Sequence, residues 1–96
     1  MPAFVVFTRE ETLDQSELDT YSARAGSSFE GRDVKFLAAY GTLETLEGPP
    51  VEGAVVLQFD TMDAARDWYG SPAYQSAARH RFKGASYRAF IVDGMA

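Results

Sequence analysis

Cysteine is absent from the 96-residue chain, which excludes disulfides, thiolate metal sites, thiol redox chemistry and a cysteine nucleophile. Histidine occurs once, at His80. A metal would therefore have to be held by carboxylates, and no Asp/Glu spacing matches a cation-binding loop, so no metal is expected. The 8 glycines are scattered and form neither a phosphate-cradling loop nor a dinucleotide fingerprint, so no cofactor is indicated. Basic residues are in the minority, 9 against 14 acidic ones, for a net charge of −5. Phosphate backbones and anionic membranes are recognised by the opposite balance, which leaves nucleic acid and membranes outside the expected partners. Long apolar runs are missing too. The opening residues 1–9 have no basic leader and only a short apolar stretch, and nothing further on approaches a membrane span. A cytoplasmic location is the expectation.

What is present suits one folded domain over residues 1–96, with 46% apolar and 14% aromatic side chains. A domain of this size buries only about 60–65% of its unfolded surface, so association would add useful burial. Ala3 to Thr8 is a β-branched and aromatic run that reads as a strand. A helix follows: Asp14 and Glu17 have capping-box spacing, and Leu18, Tyr21, Ala25 and Phe29 recur along one face. Val34 to Tyr40 forms a second strand, and the chain then runs extended past Leu43 and Leu46 to the breaker Glu47-Gly48-Pro49-Pro50. Ala54 to Phe59 is a third strand, capped into a helix by Asp60 or Thr61. Ser71-Pro72 ends that helix and starts another that runs to near Phe82. Tyr87 to Val92 closes the chain as a fourth strand.

The order β-α-β-β-α-β predicts a ferredoxin-like α+β fold, a four-stranded antiparallel sheet with both helices on one face. The strands nevertheless carry apolar residues at consecutive positions, as in Phe4-Val5-Val6-Phe7, Ala54-Val55-Val56-Leu57 and Ala89-Phe90-Ile91-Val92, so both sheet faces should be dry. An uncovered face of that size exceeds what soluble monomers tolerate. A second copy, sheet against sheet in a two-fold homodimer, is the economical cover.

The chain resembles the family named domain of unknown function 1330, of the dimeric α+β barrel superfamily. The resemblance spans nearly the whole chain and is carried by Leu46-Glu47-Gly48, by Val55-Val56-Leu57-Gln58-Phe59 with Ala64-Ala65-Arg66-Asp67-Trp68-Tyr69, and above all by Ser71-Pro72-Ala73-Tyr74-Gln75. Arg81, Arg88 and Val92-Asp93-Gly94 also match. The family's His-Gly-Gly and Arg-Gly-Gly type stretches around the second strand are replaced here by Arg32-Asp33-Val34 and Ala39-Tyr40-Gly41. The family brings no assigned activity. The superfamily implies a range of cofactor-free monooxygenases, small-molecule isomerases, haem-handling enzymes and non-enzymatic ligand sensors, among which fold alone does not choose.

The candidate site residues follow from chemistry and position. Trp68, Tyr69 and Tyr74 flank the Ser71-Pro72 corner and could wall a cleft for a flat ligand or pack in the core. Tyr40 offers a phenol from the sheet side, to a ligand or to solvent. Arg81 shares a helix face with Tyr74, Ala77 and Ala78, where a guanidinium needs a partner: a ligand carboxylate, or an acid such as Asp67. Arg88 carries the same two options. His80 is the weak catalytic candidate, the one side chain with a proton affinity near neutrality, expected to the side of that face and open to solvent. The acidic residues Glu10, Glu11, Asp14, Glu17 and Asp19 crowd the first quarter, and Arg79, Arg81, Lys83 and Arg88 gather near the end. They form two solvated faces, or the late cluster binds an acidic ligand. The expectation is a small-molecule-binding protein lined by Tyr40, Trp68, Tyr74 and Arg81, possible as a cofactor-free monooxygenase- or isomerase-like enzyme on an aromatic or carboxylated metabolite. The alternative is a non-catalytic dimerisation or ligand-sensing module.

Overall fold

The computed structural model describes residues 1–95. Strand β1 (Ala3–Thr12) alternates strictly at its start: Ala3, Val5 and Phe7 are buried while Phe4 and Val6 are half-buried. Asp14 caps helix α1 (Gln15–Ala25) by accepting from the Ser16 N–H, and the helix tightens into a 3-10 turn over Gly26–Phe29. Gly31, at φ +74°, turns the chain toward β2 (Val34–Ala39). Residues 41–52 form no regular element before β3 (Gly53–Phe59). Helices α2 (Met62–Tyr69) and α3 (Pro72–Gly84) then lead into β4 (Ala85–Asp93).

The four strands form one antiparallel sheet in the order β2-β3-β1-β4. This is the expected ferredoxin-like topology, with the second helix divided at the Ser71-Pro72 corner. The first and last strands in the chain, β1 and β4, run longer than the sequence suggests. β1 continues past Thr8 because its backbone goes on pairing with β4 through an irregularity at Arg9/Glu11. The charged side chains that suggested an end lie at the solvated rim, where a strand needs only its ladder.

The corner is tied by one hydroxyl. Ser71 Oγ donates to the Trp68 carbonyl at 2.7 Å and accepts from the Tyr74 N–H at 3.2 Å. Pro72 sits at the first helical position, where its missing N–H costs nothing. The rings this corner fixes make the core: Trp68 and Tyr74 are fully buried with centroids 4.2 Å apart, above Val5, Leu57 and Phe59. Trp68 Nε1 donates to Ser28 Oγ at 3.0 Å, which ties the 3-10 turn to α2.

Helix α1 packs closely on α3, and its Tyr21 reaches the core over the sheet. The contact is close because Gly84 has no side chain: a Cβ there would stand 2.8 Å from Leu18 Cδ2. The Leu13 and Asp14 N–H groups both donate to the Gly84 carbonyl, at 2.7 and 2.9 Å. Glu17 therefore does not close a capping box on Asp14, and turns to His80 instead.

On the sheet face away from the helices, Phe4, Val6 and Val56 are half-buried, and Phe90 and Val92 are 52% and 47% exposed. Register places Val6 between Val56 and Phe90 at the centre of this face. No helix among the described residues is long and apolar enough to cross a membrane. Replacing Ser71 by Ala removes both corner bonds, and urea unfolding should show a loss of about 1–2 kcal/mol.

Candidate functional site

Because α1 rests on α3, a cavity of about 230 Å³ remains between its C-terminal half and strands β2 and β3. Val55 and Leu57 form its floor, and Phe29 and Trp68 its inner wall. Those two rings stack at 5.0 Å with 14° between their planes. Phe36, 57% exposed and edge-on to Phe29 at 4.9 Å, stands at the open side. The wall is largely apolar, and the residues with polar side chains that line it are Tyr21, Ser22 and Tyr40.

Tyr40 is held unusually. Its φ of +56° lies in the left-handed region, rare for a bulky residue. Its N–H donates to the Ala54 carbonyl at 2.8 Å, which keeps β2 pinned to β3 through the bend. The ring lies across Gly53, where a Cβ would stand 2.7 Å from Tyr40 Cδ1. The Arg9 guanidinium is 5.1 Å from the ring centroid, and the hydroxyl meets that of Tyr87 at 2.6 Å. Arg9 Nε itself sits 3.2 Å from Glu52 Oε1, close enough for ion pairing but not aligned for a hydrogen bond.

Tyr74 and Arg81 stand one layer behind this wall. Tyr74 Oη is 3.0 Å from Tyr21 Oη and accepts from Arg81 Nε at 3.2 Å. Arg81 is only 4% exposed, and among the described residues its guanidinium has no carboxylate in ion-pair contact. Asp67, the acid considered for it, pairs with Arg32 at 2.8 Å. Rings surround Arg81 instead, with Phe7, Phe82 and Tyr87 centroids 5.1, 4.9 and 5.0 Å from Cζ. Such contacts stabilise a desolvated cation by about 2 kcal/mol.

Burial pushes the Tyr21, Tyr40 and Tyr74 phenols above their ordinary proton affinity, and for Tyr74 the Arg81 charge partly opposes the rise. At neutral pH all three are hydrogen-bonding acids and not bases. Burial works against the Arg81 charge, but the oxygens of Tyr74, Tyr21 and Tyr69 outweigh it and hold the guanidinium more strongly protonated than usual.

The structure thus brings Tyr40 and Trp68 to the cavity and puts Tyr74 and Arg81 behind it. His80 lies elsewhere, between α3 and α1, with Nδ1 2.7 Å from Glu17 Oε2. It is half-buried by that contact rather than open to solvent. Arg88 is on the other sheet face, opposite Thr8. Sequence reasoning missed Tyr21 and Tyr87. A tyrosine amid the apolar stripe Leu18, Ala25 and Phe29 was the available signal for Tyr21. The Tyr87 contact depends on a ring reaching across the sheet end over a glycine, which no local pattern announces.

The family model described as domain of unknown function (DUF1330) matches residues 2–95. No curated protein matches the chain. Among solved structures, a protein of unknown function from Rhodopseudomonas palustris is similar, with 16% identity, TM-score 0.72, and 99% of this chain and 83% of the other covered. A dimeric protein of unknown function and ferredoxin-like fold from Bacteroides fragilis has 11% identity and TM-score 0.65, with 97% and 96% covered. SnoaB, a cofactor-independent oxygenase from Streptomyces nogalater, has 13% identity and TM-score 0.63, with 99% and 94% covered. At these identities the likeness is one of fold. The chain belongs to the DUF1330 family.

Two outcomes follow from the phenols and the glycine. Tyr21 and Tyr74 ionise more readily in the unfolded chain, at the ordinary value of 10.0, than in the native one. Their contribution to stability is therefore complete below pH 10 and is lost above it, at up to about 1.4 kcal/mol per pH unit for each phenol. Denaturant unfolding across pH 8–12 should show this fall, with a shallower slope in Tyr21→Phe. Gly53→Ala should cost about 1–3 kcal/mol by forcing the Tyr40 ring off the sheet, seen as lost stability and an altered tyrosine near-UV signal.

Proposed function

We propose that this DUF1330 member works as a two-fold homodimer and binds a small, flat, mainly apolar metabolite in the cavity under α1. The observation that carries the binding reading is Tyr40. A bulky residue kept in a left-handed backbone, its ring laid over a glycine at an apolar cavity, is the kind of strained placement that clusters at ligand sites. An apolar wall with few polar groups is what a small-molecule site requires.

The dimer reading rests on the opposite sheet face. The chain is a slab of 34 × 32 × 17 Å, and its broad apolar side matches the footprint of a standard interface, about 800 Å² per partner. Phe4, Val6, Val56, Phe90 and Val92 would form the dry centre. The dimeric ferredoxin-like neighbour supports a second copy as the occupant.

A cofactor-free oxygenase is the enzymatic form of this reading, favoured by the cavity's protonated phenols and by the cofactor-independent oxygenase among the neighbours. Such donors stabilise an anionic substrate. Its carbanion adds dioxygen at carbon and is reprotonated to a hydroperoxide, which loses water to leave a carbonyl. One oxygen atom enters the product, the other leaves in water, and no outside reductant is needed. No carboxylate or imidazole lines the cavity among the described residues. The substrate must accordingly be acidic enough to ionise without a protein base.

A thermal-shift screen of aromatic and carboxylated metabolites tests binding. A true ligand should raise the melting temperature with concentration, and Ala25→Leu, which fills the cavity from α1, should abolish that rise while keeping the fold. A screen with no such ligand would favour the non-catalytic module, and dioxygen uptake with a hit separates enzyme from sensor. Sedimentation should give twice the chain mass for the native protein and the single mass for Val6→Lys. A native monomer would refute the dimer.

A further inference from the structure

Among the described residues the buried guanidinium of Arg81 has no carboxylate in ion-pair contact, and it touches a chain of two phenols that ends at the cavity. From this we infer that the ligand carries an acidic hydroxyl, a phenol or an enol, and is bound as its oxyanion by the hydroxyl of Tyr21. The inference deepens the cavity reading and rests on it.

The direction of the chain follows from valence. Arg81 Nε can only donate, so at 3.2 Å the Tyr74 oxygen is its acceptor. Tyr74 is completely buried, and its own proton needs an acceptor or costs about 1–3 kcal/mol. The Tyr21 oxygen, 3.0 Å away, is the acceptor at hand. The proton of Tyr21 is then left over. Among the described residues it has no acceptor, and Tyr21 lines the cavity. Each bond in such a series polarises the next, so the cation makes the last hydroxyl a stronger donor than an isolated phenol.

The charge balance points the same way. A buried cation without an anion is costly, and rings relieve that cost only in part. No carboxylate or imidazole lines the cavity among the described residues, so an oxyanion there would supply the missing opposite charge. One oxygen fits better than a carboxylate. Arg81 does not reach the wall, its Nε is engaged by Tyr74, and Phe7 and Tyr87 lie against the guanidinium. A bidentate grip is therefore unavailable, and Tyr21 offers a single O–H. The stacked Phe29 and Trp68 rings favour a planar body attached to that oxygen. Tyr21 is the binding residue, while Tyr74 and Arg81 act through it as positioning residues.

The test compares 4-nitrophenol with 4-nitroanisole, which has the same ring but no ionisable hydroxyl, by absorbance titration near neutral pH. The phenolate should bind about tenfold or more tightly than the ether, the range of a charge-assisted hydrogen bond, and the bound probe should ionise about one pH unit below the free one. Tyr21→Phe should bring the two affinities together, with the phenolate's falling much further than the ether's. Arg81→Lys, which keeps a charge but loses the Nε bond, should lower the preference with Tyr21 still in place. Equal binding of both probes by the native protein overturns the inference and leaves the cavity reading standing. A preference that survives Tyr21→Phe overturns it as well. If neither probe binds, both the inference and the cavity reading fall.

Discussion

The indole of Trp68 is the point through which sheet, helices and cavity are joined. It lies between Phe29 and Tyr74, at 5.0 and 4.2 Å, and its N–H reaches Ser28 on the turn after α1. A residue only 1% exposed that lines the cavity and packs in the aromatic core carries any shift in one to the other. The Ser71 hydroxyl holds the Trp68 carbonyl on the other side, so neither the ring nor the backbone can turn freely. Protein interiors transmit strain because they are close-packed, and here the packing converges on one side chain.

A second constraint is the separation of charge from the surface. The acidic excess of the chain is spent outside, on pairs such as Arg32–Asp67 and Arg66–Asp63, which contribute little to stability because solvent screens them. Inside, the Arg81 cation is surrounded by phenols and rings, with no acid in ion-pair contact among the described residues. A buried cation thus stands behind the cavity wall in a protein of net charge −5. His80, the residue most suited to move a proton near neutrality, is occupied with Glu17 at the junction of α1 and α3. The interior near the cavity is thus a place of donors rather than bases.

Much of this fold was legible because its signals are local. Ser71-Pro72 marks a helix boundary by capping chemistry alone, and apolar residues at successive strand positions announce a sheet needing cover on both sides. Of the site, Trp68, Tyr74 and Arg81 were legible as one neighbourhood, since helical spacing puts Tyr74, Ala77, Ala78 and Arg81 on one buried face. The order of the layers was not legible. That Arg81 stands behind Tyr74 depends on α1 settling on Gly84 and bringing Tyr21 to meet the Tyr74 hydroxyl, a contact 53 residues apart. Nor could the strand pattern show that Tyr40 turns back over Gly53, because that needs a backbone angle usually reserved for glycine. Side-chain pairings over long separations are set by the assembled packing, which local propensity does not encode.

Strand β3 separates two selective pressures by parity. Val55 and Leu57 look into the cavity, whereas Ala54, Val56 and Gln58 look toward the uncovered face. A change at an odd-numbered position therefore acts on the cavity and the core, and one at an even-numbered position acts on the opposite face of the sheet. A deletion of one residue would exchange the two sets and ruin both at once. Strand β3 should accordingly accept side-chain changes at the half-buried Ala54, Val56 and Gln58 more readily than at the buried Gly53, Leu57 and Phe59, and insertions hardly at all.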